Sequence, residues 1–123
     1  VGYPYLVLIW FTLMFQLYQN LLSNALKFRA PDRELVIRLT AERQGGHLVL
    51  GVQDNGIGIS RHECERIFER FYRVDRARSR DLGGTGLGLA IVKHIAQSHL
   101  GSVTVDSQLG EGSTFAVRIP LAE

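Results

Sequence analysis

Three polar side chains on one predicted helix could bind a metal ion and a phosphate. Asn20, Asn24 and Lys27 follow one another at spacings of four and three residues, which places them on one stripe of a helix. Amide oxygens suit Mg²⁺, which takes few protein ligands and fills its remaining positions with water and phosphate. Lys27 could add a positive charge for a phosphate. Taken alone, the stripe is more typical of an ordinary solvated helix face.

A carboxylate stands at the end of an alternating apolar row. Leu50 and Val52 belong to a predicted strand with its apolar side chains on one face, and Asp54 continues that row. Gly56 and Gly58 follow, so the backbone there can turn sharply and approach a flat ligand closely. The carboxylate could accept a hydrogen bond from an adenine amino group, whereas guanine offers a carbonyl at that place. A capping aspartate in a structural turn is the competing interpretation.

A glycine-rich segment precedes a predicted amphipathic helix. Gly83, Gly84, Gly86 and Gly88 leave backbone N–H groups open at the positive end of the helix dipole, which favours an anion such as phosphate. The spacing matches neither the GxGxxG dinucleotide fingerprint nor the GxxxxGK[ST] element. A flexible hinge is the alternative interpretation.

Composition indicates a single globular domain. The chain has 123 residues, of which 46% are hydrophobic and 21% charged, and this size is usual for one core. A formal charge of +2 is too small to indicate a nucleic-acid partner. The arginines crowded between Arg61 and Arg80 are largely offset by acids, so a solvated surface stays as open as one that faces a phosphate or a partner. The single cysteine, Cys64, cannot form an internal disulfide, and it fits a reducing compartment.

The most apolar run is YLVLIWFTLMF, from Tyr5 to Phe15. Its eleven residues are fewer than the about 20 that a membrane-spanning helix needs, and it does not have the flanks of a signal peptide. The pattern favours a buried strand that runs into a helix. A dimer surface, or an edge covered by the rest of a longer protein, is the other interpretation.

The order of predicted elements indicates a two-layer sandwich. They are a possible strand at 4–10, a helix at 12–28, strands at 35–41 and 48–54 joined at Gly45-Gly46 by a loop longer than two residues, a short helix at 61–68 capped by Ser60, a mobile loop, a helix at 87–98 stopped by Gly101, and strands at 103–105 and 115–119. This order predicts an α/β (α+β) sandwich. We expect a mixed, mainly antiparallel sheet with about three helices on one face.

Four segments resemble, in order, the N, G1, F and G2 boxes of the ATP-binding catalytic domain of sensor histidine kinases. They read QLYQNLLSNALKF, DNGIGIS, IFERFYRVD and GGTGLGLAIVKHI, and the closing GEGSTFAVRIPL extends the resemblance over about Gln16 to Leu121. Gyrase, chaperone and mismatch-repair relatives share the nucleotide fold but usually not IFERF followed by GGTGLGLAI.

The resemblance implies a Bergerat-type fold of the GHKL superfamily and a role for each box. Asn24 is then the Mg²⁺ ligand, and Asp54 holds the adenine amino group. Phe68 and Phe71 anchor a mobile lid over residues 72–84, and Thr114 lies under the adenine pocket. The implied ATP-binding residues are Asn20, Asn24, Lys27, Asp54, Gly56, Gly58, Gly84, Thr85, Gly86, Leu87, Gly88 and Thr114, with Asn24 and Lys27 also catalytic.

The implied function is half of a phosphotransfer reaction. One domain over 1–123, with an atypical apolar segment at 1–15, would bind Mg-ATP and donate the γ-phosphate to a histidine on a separate dimerisation domain, which then serves a response regulator. None of His47, His62, His94 and His99 begins the family's acceptor motif. The expected location is cytoplasmic, including as the cytoplasmic part of a membrane-bound sensor, with no nucleic-acid partner and no membrane contact by this fragment.

Two alternatives remain open at this point. One is a stand-alone ATPase or serine kinase of the same superfamily, which would hydrolyse ATP steadily or phosphorylate an added protein. The other is a degenerate regulatory module that uses its apolar amino terminus and arginine-rich lid to bind a partner. A folded domain that does not bind Mg-ATP would favour the degenerate regulatory module.

Overall fold

The computed structural model describes residues 4–72 and 87–121 of the chain, without the side chains of residues 4–7. Three α-helices and four β-strands lie within these ranges. They are α1 (Pro4–Lys27), β1 (Ile37–Gln44), β2 (His47–Asp54), α2 (Arg61–Cys64), α3 (Gly88–Ser98), β3 (Ser102–Gln108) and β4 (Gly112–Pro120). Apart from Tyr72, the predicted lid at 72–84 lies outside the described residues.

The four strands form one sheet in the order β1-β2-β4-β3. All three described pairings are antiparallel, which confirms the predicted sandwich and makes this part of the sheet wholly antiparallel. In the central pairing of β2 with β4, Asp54 lies opposite Ser113 and Gln53 lies opposite Thr114. The end of β2 that carries the candidate carboxylate therefore meets the beginning of β4.

Helices α1 and α3 pack together over one face of the sheet. Leu17 and Leu21 of α1 and Val92 of α3 are buried with Val52 and Phe115 of the central strands in one core. Full burial of an aliphatic or aromatic side chain stabilises a fold by about 1.5–3 kcal/mol. This core fixes the position of α1, and hence of its polar stripe, above the strand ends.

The apolar run at the amino terminus is helical, so the expected strand at 4–10 is wrong. Helix α1 begins at Pro4, because proline is tolerated in the first turn and no later proline or glycine interrupts the run. The side chains of Leu8, Phe11 and Phe15 are 67%, 62% and 69% exposed, so these three are not buried as expected, whereas Met14 is part of the core. No helix within the described part of the chain has the length and apolarity to span a membrane.

The first hairpin differs from expectation in two respects. Strand β1 begins at Ile37 rather than at residue 35, and Leu39 is exposed because the helices lie over the other strands of the sheet. Gln44 pairs with His47, which leaves a two-residue loop, shorter than predicted. Gly45 has a φ of 61°, and such a left-handed residue permits the tight turn.

The short helix after β2 ends earlier than predicted. Ser60 caps α2 as expected, since its Oγ accepts the N–H of Glu63 at 3.3 Å. Beyond Cys64 the backbone bonds shift toward the tighter three-residue spacing, as in Glu69 N–H to the Arg66 carbonyl at 2.9 Å, so the chain continues as turns to Tyr72.

The end of helix α3 also differs from the prediction. The left-handed residue that follows it is Leu100, with a φ of 62°, rather than the predicted Gly101. The N–H of Gly101 then closes the helix by donating to the Ala96 carbonyl at 2.8 Å.

Candidate functional site

Asp54 is a buried carboxylate at the last position of β2. Its residue is 6% exposed, and its Oδ1 accepts the backbone N–H of Gly56 at 2.9 Å. Burial raises the pKa of Asp54, while the backbone N–H groups of Gly56 and Ser113 oppose that shift. An ionised carboxylate has about four acceptor positions, so Asp54 retains capacity for a further donor.

The turn after Asp54 is pressed against the end of α1. A Cβ at Gly56 would overlap the Phe28 carbonyl oxygen, and the N–H of Ile57 donates to that same oxygen at 2.8 Å. Gly58 has a φ of 78° and lies against the Gln108 carbonyl, so a side chain would be strained there as well as crowded. The two glycines predicted for close approach of the backbone thus meet other backbone, which locks the turn between α1 and the β3–β4 hairpin.

Ser113 and Ser107 lie beside Asp54, and sequence reasoning missed both. Ser113 is buried opposite Asp54, and its hydroxyl lies 2.7 Å from that of Ser107. Ser107 Oγ accepts the Ile59 N–H at 2.7 Å and lies 2.9 Å from the Gly112 carbonyl. The alternation of Phe115, continued backward along β4, could have found Ser113.

Thr114 is not on the face of the sheet that was expected. It lies opposite Gln53, one position away from the Asp54–Ser113 pair, and successive side chains of a strand point to opposite faces. Thr114 therefore faces away from Asp54. The hydroxyl at this corner is that of Ser113, which corrects the prediction.

The polar stripe of α1 is partly buried. Asn24 is 7% exposed, and among the described residues no hydrogen bond to its side-chain amide is found. Its amide atoms are still reached by solvent, so they are accessible to a ligand. Asn20 donates from Nδ2 to the Gln16 carbonyl at 2.9 Å, which leaves its Oδ1 as an acceptor, and Lys27 is half-buried at the end of the helix. Two amide oxygens and a lysine fit a Mg²⁺–phosphate group.

The beginning of α3 meets the same stripe. A Cβ at Gly88 would lie 3.2 Å from Asn20 Oδ1, so the glycine allows α1 and α3 to approach closely. Leu87 precedes the first turn of α3, whose backbone N–H groups are not used within the helix. The expected phosphate contacts at Gly84, Thr85 and Gly86 lie outside the described residues. The described part of the glycine-rich segment is thus adjacent to the helix that carries Asn20.

The two phenylalanines predicted to anchor the lid differ in burial. Phe68 packs edge-on against Phe115, with ring centroids 6.1 Å apart. Phe71 is 65% exposed and has a φ of 67°, and the lid that it was expected to anchor lies outside the described residues.

Arg33 is a further residue at this corner that sequence reasoning missed. Its guanidinium donates to three backbone carbonyls: Asn55 at 2.8 Å, Gly56 at 2.8 Å and Gly110 at 2.9 Å. The Asn55 side chain joins the same region, because its Oδ1 accepts the Val36 N–H at 2.8 Å. No periodicity marks Arg33 in the sequence, since it lies in an irregular segment between α1 and β1.

Known proteins of similar sequence match most of the chain. A sequence model of the family described as histidine kinase-, DNA gyrase B-, and HSP90-like ATPase matches residues 12–123. Sensor-like histidine kinase SenX3 of Mycolicibacterium smegmatis is 50% identical over 101 residues, which are 82% of this chain and 26% of that protein. Sensor histidine kinase RppB of Synechocystis is 47% identical over 108 residues, 88% of this chain and 23% of that protein.

Solved structures give the same result. The full-length ShkA structure in complex with AMPPNP superposes with a TM-score of 0.76 at 33% identity, over 89% of this chain and 22% of that one. The chain thus spans about a quarter of the length of the curated relatives it matches.

Proposed function

The chain belongs to the histidine kinase-, DNA gyrase B- and HSP90-like ATPase family, and on that premise we propose that it is the ATP-binding catalytic domain of a sensor histidine kinase. It binds Mg-ATP and donates the γ-phosphate to a histidine on a separate dimerisation domain. Two relatives of similar sequence are named as sensor or sensor-like histidine kinases, and ShkA was solved in complex with AMPPNP, an ATP analogue.

The observation that carries the proposal is the buried carboxylate of Asp54. A carboxylate that is 6% exposed and accepts a backbone N–H on one oxygen has been taken out of water without a charged partner among the described residues. Such a group is costly unless another donor reaches it. The amino group of adenine supplies that donor, whereas the carbonyl of guanine would face the carboxylate with a second acceptor.

The phosphate side of the proposed site combines α1 and the beginning of α3. Asn24 would hold Mg²⁺, with Asn20 and Lys27 near the phosphates, and the backbone amides from Gly84 to Gly88 would complete the contact. When bound, Mg²⁺ neutralises charge on the phosphates. Lys27 and the amides at the beginning of α3 would stabilise the additional charge that develops during transfer.

The phosphate acceptor is proposed to lie outside these residues. His99 is occupied in ending α3, where its Nδ1 lies 2.9 Å from the Ile95 carbonyl, and His47 begins β2 at the end of the sheet remote from Asp54. A histidine presented by a dimerisation domain of the parent kinase would be the nucleophile, and a response regulator would receive the phosphate from it. The catalytic domain would then act in the cytoplasm.

Residues 1–123 are proposed to form one nucleotide-binding unit. Its lid would comprise residues 72–84, and its atypical apolar segment would comprise residues 1–15. The exposed apolar side chains of that segment, Leu8, Phe11 and Phe15 among them, favour a contact with another protein surface as a second role.

Calorimetric titration tests the proposal directly. The domain is titrated with AMPPNP and with its guanine counterpart, each with and without Mg²⁺. Selective binding of the adenine analogue, strengthened by Mg²⁺, is the expected result. A folded domain that binds neither nucleotide would contradict the proposal and favour the degenerate interaction module.

A second assay addresses the reaction. The domain is incubated with Mg-ATP alone and, separately, with the purified dimerisation domain of a sensor kinase. We expect little steady hydrolysis alone and phosphohistidine on the added domain. Steady hydrolysis without an acceptor would instead favour the stand-alone ATPase.

A further inference from the structure

Arg33 ties together the two loops that surround the candidate adenine site. Its Nε donates to the Asn55 carbonyl at 2.8 Å, and its Nη2 donates to the carbonyls of Gly56 at 2.8 Å and Gly110 at 2.9 Å. Its side chain is one-third exposed. Gly110 also donates its N–H to the Ile57 carbonyl at 2.8 Å, so the guanidinium reinforces a junction that already joins the two loops.

The peptide unit between Asn55 and Gly56 connects Arg33 to Asp54. The carbonyl of Asn55 and the N–H of Gly56 belong to one planar group. Arg33 donates to its oxygen, while its N–H donates to Asp54 Oδ1 at 2.9 Å. A cation on the carbonyl draws electron density from the amide and strengthens the donor at the other end. Arg33 thus acts on the carboxylate through one peptide, without touching it.

The next peptide unit is held in the same way. Arg33 donates to the Gly56 carbonyl, and the N–H of Ile57 in that unit donates to the Phe28 carbonyl at 2.8 Å. The turn after Asp54 is therefore clamped between a guanidinium on one side and the end of α1 on the other. A planar guanidinium can serve several carbonyls in fixed directions, whereas an ammonium is a point charge on a flexible stem.

We infer that Arg33 is a positioning residue for recognition of the adenine amino group, which it serves by fixing the orientation of the Asp54 carboxylate through the Asn55–Gly56 peptide. This inference rests on the proposed function, in which Asp54 reads that amino group. Arg33 itself has no contact with the nucleotide in this arrangement. Its loss should therefore impair discrimination at the base and leave the phosphate contacts unchanged.

The test compares two nucleotides that differ only at the amino group. ATP and purine riboside triphosphate, in which hydrogen replaces the 6-amino group, are titrated calorimetrically against the wild-type domain and Arg33→Met. The triphosphate is common to both, so the ratio of the two dissociation constants isolates recognition of the amino group. We expect the preference for ATP to fall by about fivefold to tenfold in Arg33→Met, the equivalent of one ordinary hydrogen bond, because Arg33 acts on the carboxylate only indirectly.

Two further variants make the result unambiguous. Arg43→Met removes an exposed arginine at the other end of β1 and should leave the ratio unchanged. Arg33→Lys keeps the charge without the planar fork, and it is judged by the same ratio if Arg33→Met does not fold. An unchanged ratio in any folded variant without the guanidinium overturns the inference. A wild-type domain that does not distinguish the two nucleotides would instead contradict the proposed role of Asp54.

Discussion

The base side and the phosphate side of the candidate site are built in different ways. On the base side, the turn after Asp54 is held by backbone contacts from Phe28, Gln108 and Gly110 and by the Arg33 guanidinium. On the phosphate side, the Asn24 amide has no hydrogen bond to a described residue and is still reached by solvent. Contacts within the described structure thus fix the turn on the base side and leave the Asp54 carboxylate to accept a further donor, whereas the Asn24 amide on the phosphate side has no such support.

This difference suggests how the two tasks are divided. Discrimination between bases depends on the fixed direction of one carboxylate, and rigid supports provide it before the ligand arrives. Binding of a metal and phosphates needs available oxygen atoms and amides more than fixed packing, because the ion orders its own ligands. We therefore expect substitutions in the turn that supports Asp54 to affect folding and binding together, and those at Asp54 itself or on the phosphate side to affect binding alone.

The largest effect is expected at Gly56. Gly56→Ala places a methyl group on the Phe28 carbonyl oxygen, so the turn and the end of α1 must move apart. Overpacking of this kind costs about 1–3 kcal/mol of unfolding free energy, and ATP affinity should fall with it. Gly46→Ala is the matched control, because nothing lies within 4 Å of a Cβ at that glycine. Urea denaturation of both variants measures the difference, and equal stability would contradict the backbone contact.

Asp54→Asn separates recognition from folding on the same side. The change should weaken ATP binding about tenfold to a hundredfold, the equivalent of one charge-assisted hydrogen bond.

The stability of Asp54→Asn follows from the pKa of Asp54. Since burial raises this pKa, the ionised group is disfavoured in the folded protein. Its contribution to stability is then present below its unfolded pKa and lost as pH rises through the folded pKa, so the variant should be at least as stable as wild type at pH 7. Calorimetry and thermal unfolding check the two parts, and an unchanged affinity would rule out the role in adenine recognition.

The pH dependence provides a further test of Asp54. The advantage of wild type over Asp54→Asn in ATP affinity should be full near neutral pH. It should shrink toward equal affinity as the pH is lowered through the raised pKa of this carboxyl, because protonation removes the charged acceptor. Titrating both proteins at each pH cancels the ionisation of the nucleotide itself. A ratio that stays constant down to acid pH would mean that the ionised form is not what binds.

Asn24→Ala tests the phosphate side. Removal of the amide should leave folding nearly unaffected, because that amide makes no hydrogen bond within the described residues. The strengthening of AMPPNP binding by Mg²⁺ should fall by about tenfold, as expected for loss of a metal ligand that shares the ion with water and phosphates. Ser23→Ala, at the exposed neighbouring position, is the control. If Mg²⁺ strengthens binding equally in all three proteins, the ion is held elsewhere.

Much of the sheet and its site could be predicted because strand alternation is a strong signal. The row of Leu50, Val52 and Asp54 placed the carboxylate correctly on the covered face, and the same rule, applied from Phe115, would have selected Ser113 over Thr114. The error at Thr114 came from following the resemblance instead of the alternation. That Asn20, Asn24 and Lys27 bind Mg²⁺ and phosphate remains a prediction.

Other features depend on tertiary contacts that have no local signature. The run from Tyr5 to Phe15 is apolar on all sides, so its composition could not distinguish a strand from a helix, and tertiary structure leaves Leu8 and Phe15 exposed. Arg33 lies more than twenty positions from Asn55 and more than seventy from Gly110. Only the folded chain brings such residues together.

The smallest effect is expected at Leu100, remote from the Asp54 turn, and it tests whether added stability alone improves binding. Leu100 has a φ of 62° and is 85% exposed, so it has backbone strain with little burial to compensate. Leu100→Gly should therefore raise the unfolding free energy by about 1 kcal/mol, since glycine adopts this left-handed conformation without steric cost. Leu109→Gly is the control, because Leu109 is also exposed but has no positive φ, and it should be neutral or destabilising. Denaturation midpoints measure both changes, and ATP affinity should stay constant in Leu100→Gly. A gain in ATP affinity would mean that the base side is not already rigid in the wild-type domain. The difference between the base side and the phosphate side would then reflect the overall stability of the domain rather than the local contacts of each side.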